Sequence, residues 1–315
     1  MRARQKFPVM VKQLSLRLIL SALLSISGPA RMVSAQAEPP VGVRAAGMGG
    51  AFTAVADDAS AAFWNPAGLA SGSFFSMAVD WNAVAHAESA VFIGAGSPPL
   101  AVAYYRTATG PLKNGRNSLV AHHAGVTLVQ SLGDSGLAGG ATLKIVRGIT
   151  AAGDAATRFD VDIGFMKAGA LGRIGLTVHN ALAPEFGTTG SPIRLERRIR
   201  GGASLSVTDT LKVAADGEFT KATTPRGAWR DAALGIEDAL TPKAWLRTGV
   251  HWNTARLRRS ASAEQAGGTT GAGAAPVVSI GASYALRGSL LADAQASAGS
   301  ANGDRGWGIG LRFVF

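Results

Sequence analysis

From Ser73 onward the chain falls into short segments in which apolar and polar side chains alternate, separated by Gly, Pro, Asn, Asp and Ser. In 158–168, Phe159, Val161, Ile163 and Phe165 oppose Asp160 and Asp162. In 172–182, Ile174, Leu176 and Val178 oppose Arg173, Thr177 and His179, and in 210–220, Leu211, Val213, Ala215 and Phe219 oppose Lys212, Asp216 and Glu218. In 276–287, Val278, Ile280, Ala282, Tyr284 and Leu286 oppose Ser279 and Ser283. The last segment sets Trp307, Ile309, Leu311, Phe313 and Phe315 against Gly308, Gly310, Arg312 and Val314. A side-chain period of two makes each of these a strand with one apolar face. The pattern predicts fourteen strands, near 73–83, 87–96, 100–107, 118–131, 136–148, 158–168, 172–182, 196–207, 210–220, 228–239, 243–254, 276–287, 289–298 and 305–315. Most are close to the roughly 9–11 residues that a tilted strand needs to cross a bilayer.

Alternation alone also fits a soluble sandwich with its faces reversed; the connections separate the two. Every second one is a tight turn, as at Gly96-Ser-Pro-Pro99, Leu132-Gly-Asp-Ser135, Gly169-Ala-Leu171, Thr208-Asp209, Leu240-Thr-Pro242 and Gly288. The others include 108–117, 149–157, 183–195, 221–227, 255–275 and 299–304. Short turns at one end and longer loops at the other are the asymmetry of an up-and-down transmembrane β-barrel, as is the even strand number. Trp81, Trp229, Trp252 and Trp307 fall near the predicted loop-side strand ends and Trp245 near a turn-side end, where interfacial aromatics concentrate. In such a barrel, Arg in place of Leu176, Val213 or Ile280 is expected to cost more than Arg in place of Thr177.

Composition changes this picture little. After residue 37 no apolar run approaches the roughly 18 residues of a membrane helix, yet 47% of the chain is hydrophobic and 41 residues are glycine. There is no cysteine, hence no disulfide framework or thiolate metal site. The N-terminus does change it. Arg2, Arg4, Lys6, Lys12 and Arg17, the apolar run Leu18–Ile26 and the small-residue site Ala35-Gln36-Ala37 predict a cleaved secretory signal peptide over 1–37. Its six cations reduce the formal charge of +11 to +5, so the high isoelectric point is no sign of nucleic-acid binding.

Between signal and barrel lies a different kind of sequence. Residues 42–70 read GVRAAGMGGAFTAVADDASAAFWNPAGLA. Arg44, Gly47-Met48-Gly49-Gly50-Ala51-Phe52, Ala56-Asp57-Asp58 and Trp64-Asn65-Pro66-Ala67-Gly68-Leu69 resemble the N-terminal signature of the FadL/PorV-like outer-membrane superfamily, in particular the PorV/PorQ group. The resemblance implies a fourteen-stranded barrel (73–315) whose N-terminal segment (38–72) forms a hatch in the lumen. It also implies a bacterial outer-membrane location, with Phe313 and Phe315 as the C-terminal signal read by the barrel-assembly machinery. The chain is shorter than the fatty-acid transporters of that superfamily. Two roles follow as expectations: passage or binding of a small hydrophobic compound through a hatch-gated lumen, or an accessory or docking role with a secretion-system protein. The motif, with Arg44, Gly47, Gly49, Gly50, Asp57, Asp58, Trp64, Asn65, Pro66 and Gly68, is accordingly either a gate or a structural latch.

Inward parity marks Asp160, Asp162, Arg173, His179, Lys212, Asp216, Glu218, Arg247 and Arg312 as lumen-facing candidates, with Arg173, Lys212, Arg247 and Arg312 as partners for Asp57 and Asp58. Arg194, Arg197, Arg198, Arg200, Arg256, Arg258, Arg259, Lys113, Arg116, Lys221 and Arg226 fall on the predicted loop side, where lipopolysaccharide phosphates are the expected partner. No base-stacking platform accompanies them, so no nucleic acid is expected. His122-His123, His179 and His251 lie on three different strands without chelate spacing, so no metal is expected. No dinucleotide loop or nucleophile elbow is present, so neither a cofactor nor an enzyme activity is expected.

Overall fold

The computed structural model describes residues 40–84, 88–108, 119–187, 192–224, 227–255, 276–299 and 305–315. The signal-peptide expectation for 1–37 lies outside them, as do Lys113, Arg116, Arg226, Arg256, Arg258 and Arg259.

Fourteen antiparallel strands close into a barrel. In chain order the strands are β1 (Ser76–Val84), β2 (Glu88–Ser97), β3 (Leu100–Ala108), β4 (Leu119–Leu132), β5 (Leu137–Thr150), β6 (Ala155–Ala168) and β7 (Gly172–His179), then β8 (Glu185–Phe186) and β9 (Ile193–Arg194). They continue with β10 (Arg198–Ser206), β11 (Leu211–Glu218), β12 (Ala222–Thr224), β13 (Gly227–Trp229), β14 (Asp231–Thr241), β15 (Ala244–Asn253), β16 (Val277–Arg287), β17 (Leu290–Gly299) and β18 (Gly306–Val314). β8–β9 and β12–β13 are small separate hairpins, and the other fourteen make the wall. β1 pairs with β18 from Ser76↔Val314 to Val84↔Gly306. The Phe75 N–H donates to the Phe315 carbonyl (3.0 Å) and the Phe315 N–H to the Phe75 carbonyl (2.9 Å), which completes the seam. All fourteen predicted strands are present, and each tight turn predicted from the sequence falls at the end of the barrel where this seam closes.

The faces follow the alternation. Ile174, Leu176, Phe159, Phe165, Ile280, Ile309 and Leu311 are exposed on the outer wall, whereas Asp160, Asp162, Thr177, Ser279 and Ser283 are buried inside. In water such an exterior would be a large apolar patch; in a bilayer it is the lipid-facing band.

Three details depart from the sequence reading. The 149–157 connection shrinks to residues 151–154, because β5 and β6 run fourteen residues each. The loops 183–195 and 221–227 contain the two hairpins. Trp229, expected near a loop-side strand end, is not in a membrane-crossing strand: it ends β13 and is buried.

The lumen is filled by residues 40–72. Two short helices, α1 (Val43–Gly47) and α2 (Ala61–Trp64), and a 3₁₀ turn (Pro66–Ser71) carry most of this segment. α1 packs on β16 and β17, whereas the 3₁₀ turn packs on the opposite wall against β4, β5 and β6. The hatch can approach the wall this closely because both sides lack side chains at the contact. A Cβ on Gly47 would stand 3.0 Å from the Gly281 Cα, and one on Gly49, whose φ is +65°, only 2.7 Å from the Val250 nitrogen. The core around Phe52, Val55, Met48, Trp64 and Leu69 therefore lies inside the barrel.

Candidate functional site

Two polar clusters tie the hatch to the wall, and a third lies within the wall and touches the hatch through ring contacts. The first is centred on Arg44 in α1. Its guanidinium forks onto Glu237 of β14, Nε to Oε2 and Nη2 to Oε1, both at 2.8 Å. Its Nη1 meets Asp57 (2.5 Å) and Asp58 (3.0 Å), and the group lies over the Phe52 ring at 5.2 Å. Bidentate geometry fixes orientation as well as charge. Asp57 also faces Arg173 (3.3 Å) and Lys212 (3.8 Å), and Asp58 faces Arg312 (3.5 Å). Arg247 does not meet either acid of the motif. It pairs with Glu237 (2.6 Å) and reaches Asp293 at 3.8 Å, while Arg312 binds Asp293 at 3.0 Å.

Burial pushes the Asp57 carboxyl up, but Arg44, Lys212 and Arg173 outweigh it and bring it down to about 2. Burial likewise pulls the Arg44 guanidinium down, and Asp57, Glu237 and Asp58 more than restore it, well above its ordinary value. Both groups are therefore charged, and either left without its partners would be an uncompensated buried ion.

The second cluster is centred on Arg200 of β10. Its Nε meets Asp216 (3.0 Å), its Nη1 meets Asp231 (2.9 Å), and its Nη2 donates to the Gly50 carbonyl (2.6 Å). The Asp216 carboxylate in turn accepts the Phe52 and Thr53 backbone N–H groups at 3.0 and 2.9 Å. The guanidinium stands 5.4 Å from the Trp64 ring centre. Beside it Arg198 pairs with Glu218. This corrects the assignment of Arg198 and Arg200 to a loop-side surface for lipopolysaccharide: Arg200 is buried and Arg198 is committed to an inward carboxylate. Arg194 pairs with Glu185 across the β8–β9 hairpin, and the Arg197 Nε donates to the Ala181 carbonyl (2.9 Å).

The third cluster lies toward the loop end. Lys144 Nζ meets Asp162 (2.8 Å), Asp160 (3.1 Å), the Asn180 side-chain oxygen (2.9 Å) and the Tyr105 hydroxyl (3.3 Å). Asp162 also faces His179 Nδ1 at 3.9 Å, and the His179 ring stacks on Phe63.

The remaining motif residues build the hatch itself. Trp64 Nε1 donates to the Val41 carbonyl (2.8 Å). The Asn65 amide donates to Thr53 and Phe165 carbonyls (3.0 and 3.1 Å), and its oxygen accepts the Ala67 N–H, which starts the 3₁₀ turn at Pro66. Gly50 and Gly68 sit in the same tight path. Phe313 and Phe315 lie on the exposed outer face of the closing seam.

Above the hatch, toward the loops, a cavity of about 90 Å³ is lined by Phe63, Trp64, Tyr105, Val84 and Leu195 among polar neighbours. Phe63 meets Tyr105 edge-on at 5.2 Å, and Tyr105 stacks on His123 at 4.2 Å. The β8–β9 hairpin closes over its rim, with Phe186 buried against Leu119, Ala121 and Val146. Lys144, Asp231, Glu237, Asp293, Phe63 and Tyr105 were not singled out by sequence. For the wall residues the available signal was inward parity on their strands.

The sequence matches no protein-family model and no curated protein. Solved structures do match the fold. A CymD monoaromatic hydrocarbon channel aligns with a TM-score of 0.61 at 12% identity, over 87% of this chain and 97% of that one. The Pseudomonas putida toluene transporter TodX aligns at 0.59 and 10% identity, over 88% and 99%. A Pseudomonas aeruginosa FadL homologue aligns at 0.58 and 12% identity, over 89% and 100%. At such identities the likeness speaks for the architecture alone.

Proposed function

We propose that this protein is an outer-membrane channel for small, predominantly hydrophobic compounds, held closed by its N-terminal hatch. The observation that carries the reading is a cavity, walled by Phe63, Trp64 and Tyr105 together with charged Lys144, Arg198, Arg200, Glu218 and Asp231, directly above a hatch that fills the lumen and is pinned by ion pairs. A site of about 90 Å³ bounded by Phe63, Trp64 and Tyr105 suits one small ligand rather than a long chain. The structural neighbours named for hydrocarbon and toluene passage support the same class of cargo. Passage past the hatch requires the Arg44 contacts to separate, so the ion pairs act as the gate and Asp57 and Asp58 as its anchors.

The test is reconstitution in a planar bilayer and in liposomes loaded with an aromatic-sensing dye. The parent channel should conduct ions poorly and admit toluene or a comparable monoaromatic faster than protein-free liposomes do. Entry at the protein-free rate would remove the transport reading.

A further inference from the structure

The outer wall carries a cluster of cations that neither the hatch nor the cavity uses. Arg106 of β3 is paired in register with His122 of β4, and His122 with Arg147 of β5. All three are on the outward parity, and Arg147 is exposed. Arg106 and Arg147 flank His122 closely enough to act on its ring electrostatically. The Tyr104 hydroxyl meets His122 Nδ1 at 2.8 Å, which fixes the ring and leaves Nε2 for another partner. Arg106 Nη1 reaches the Ser89 hydroxyl at 3.4 Å.

Two features make this a site rather than ordinary surface. First, among the described outward-facing side chains of β2 to β6 there is no carboxylate: the acids of β6, Asp160 and Asp162, point inward to Lys144. Second, the row lies on the lipid-facing wall. Below it the same strands present Leu100, Val102, Val126, Leu128, Leu143 and Ile145, all exposed. Guanidinium groups are strongly disfavoured on such a face deep in the bilayer and tolerated where headgroups begin. Three cationic or donor groups at that boundary, with no protein anion, call for an anion supplied by the membrane.

We propose that Arg106, His122 and Arg147 bind the phosphorylated headgroup of a lipid in the loop-side leaflet, namely the lipid A part of lipopolysaccharide. With neighbouring strands about 4.8 Å apart, the two arginine backbones are roughly 10 Å apart. Their side chains can converge on one phosphate or hold two on a single headgroup, and arginine forks match phosphate geometry bidentately. The apolar strip beneath would receive the acyl chains. This site is independent of what the lumen carries.

Native mass spectrometry of the purified barrel in detergent, titrated with defined lipids, tests it. Bisphosphorylated lipid A should bind the parent, and the Arg106→Ala/Arg147→Ala variant should bind it at least tenfold more weakly. His122→Gln alone should weaken it severalfold. Lys243→Ala/Arg287→Ala, which removes exposed cations at the turn end, should change nothing. Dephosphorylated lipid A should bind parent and variant equally. Equal binding of bisphosphorylated lipid A by parent and both site variants overturns the proposal. Equal affinity for phosphatidylglycerol overturns the assignment to lipid A, and saturation by inorganic phosphate at comparable concentration reduces the site to one for a free anion. Heat-shifted gel migration verifies that each variant is folded. Should the double variant fail that check, the single His122→Gln measurement decides.

Discussion

At the level of single residues the molecule is organised by a few buried charges. Arg44 bridges segment and wall by charge, since it holds two acids of its own segment and one of the wall. Removing both Asp57 and Asp58 by alanine substitution leaves Arg44 on Glu237 and releases Arg173, Lys212 and Arg312 from the hatch. The expected result is an intact barrel with raised single-channel conductance. A double variant as closed as the parent would show that these acids anchor nothing. The pH dependence has a defined sign. The Asp57 carboxyl sits near 2, below its ordinary 3.8, so its ionised form stabilises the closed hatch fully above about pH 4. That contribution fades as pH falls toward 2. Conductance recorded between those limits should rise as pH drops, and Asp57→Asn should flatten the response. The acids were legible from the motif, and Arg173, Lys212 and Arg312 from strand parity. Glu237 and Asp293 were not, because an inward acid looks the same in sequence whether it binds a hatch, water or nothing.

The strands were the most legible elements. A period of two, broken by turn residues, locates all fourteen, since facing alone decides which side chains meet lipid and which meet the interior. The two hairpins over the loop end were hidden, because a strand of two or three residues is too short to show a period. One energetic expectation reverses for a related reason. Thr177 points inward, yet it is fully buried and donates to the Ile163 carbonyl. The interior here is packed, so Arg at Thr177 creates a buried unpaired charge and is no milder than Arg on the outer wall. Arg at Leu176 or Ile280, about 40% exposed to the lipid side, should cost about 2–4 kcal/mol at mid-membrane. Unfolding titrations from liposomes would compare the three; a clearly smaller cost at Thr177 would indicate a wet lumen. Deleting Phe315 removes both backbone hydrogen bonds to Phe75. It should lower the yield of heat-modifiable barrel without altering the hatch contacts of the fraction that does assemble.

As a whole, the protein is a closed wall around a folded plug, and its exterior should keep it with outer membranes on cell fractionation. Recovery from the soluble fraction without detergent would contradict that placement. The resemblance to the PorV/PorQ group rests on the 42–70 motif, while the likeness in architecture is to structures named for hydrocarbon passage and to a FadL homologue. The Arg44–Glu237 contact has a further consequence, for the order of assembly. It joins positions 193 residues apart, and Asp58 waits for Arg312 of the last strand. The plug is made before any of the wall, but its set of clamps is complete only once β14 and β18 have been laid down. Until then Asp57 can reach Arg173 and Lys212, but Arg44 lacks Glu237 and Asp58 lacks Arg312. Insertion of the final strand therefore both closes the cylinder and locks its contents, so a barrel halted short of β18 should leak for want of a clamp as well as for want of a wall.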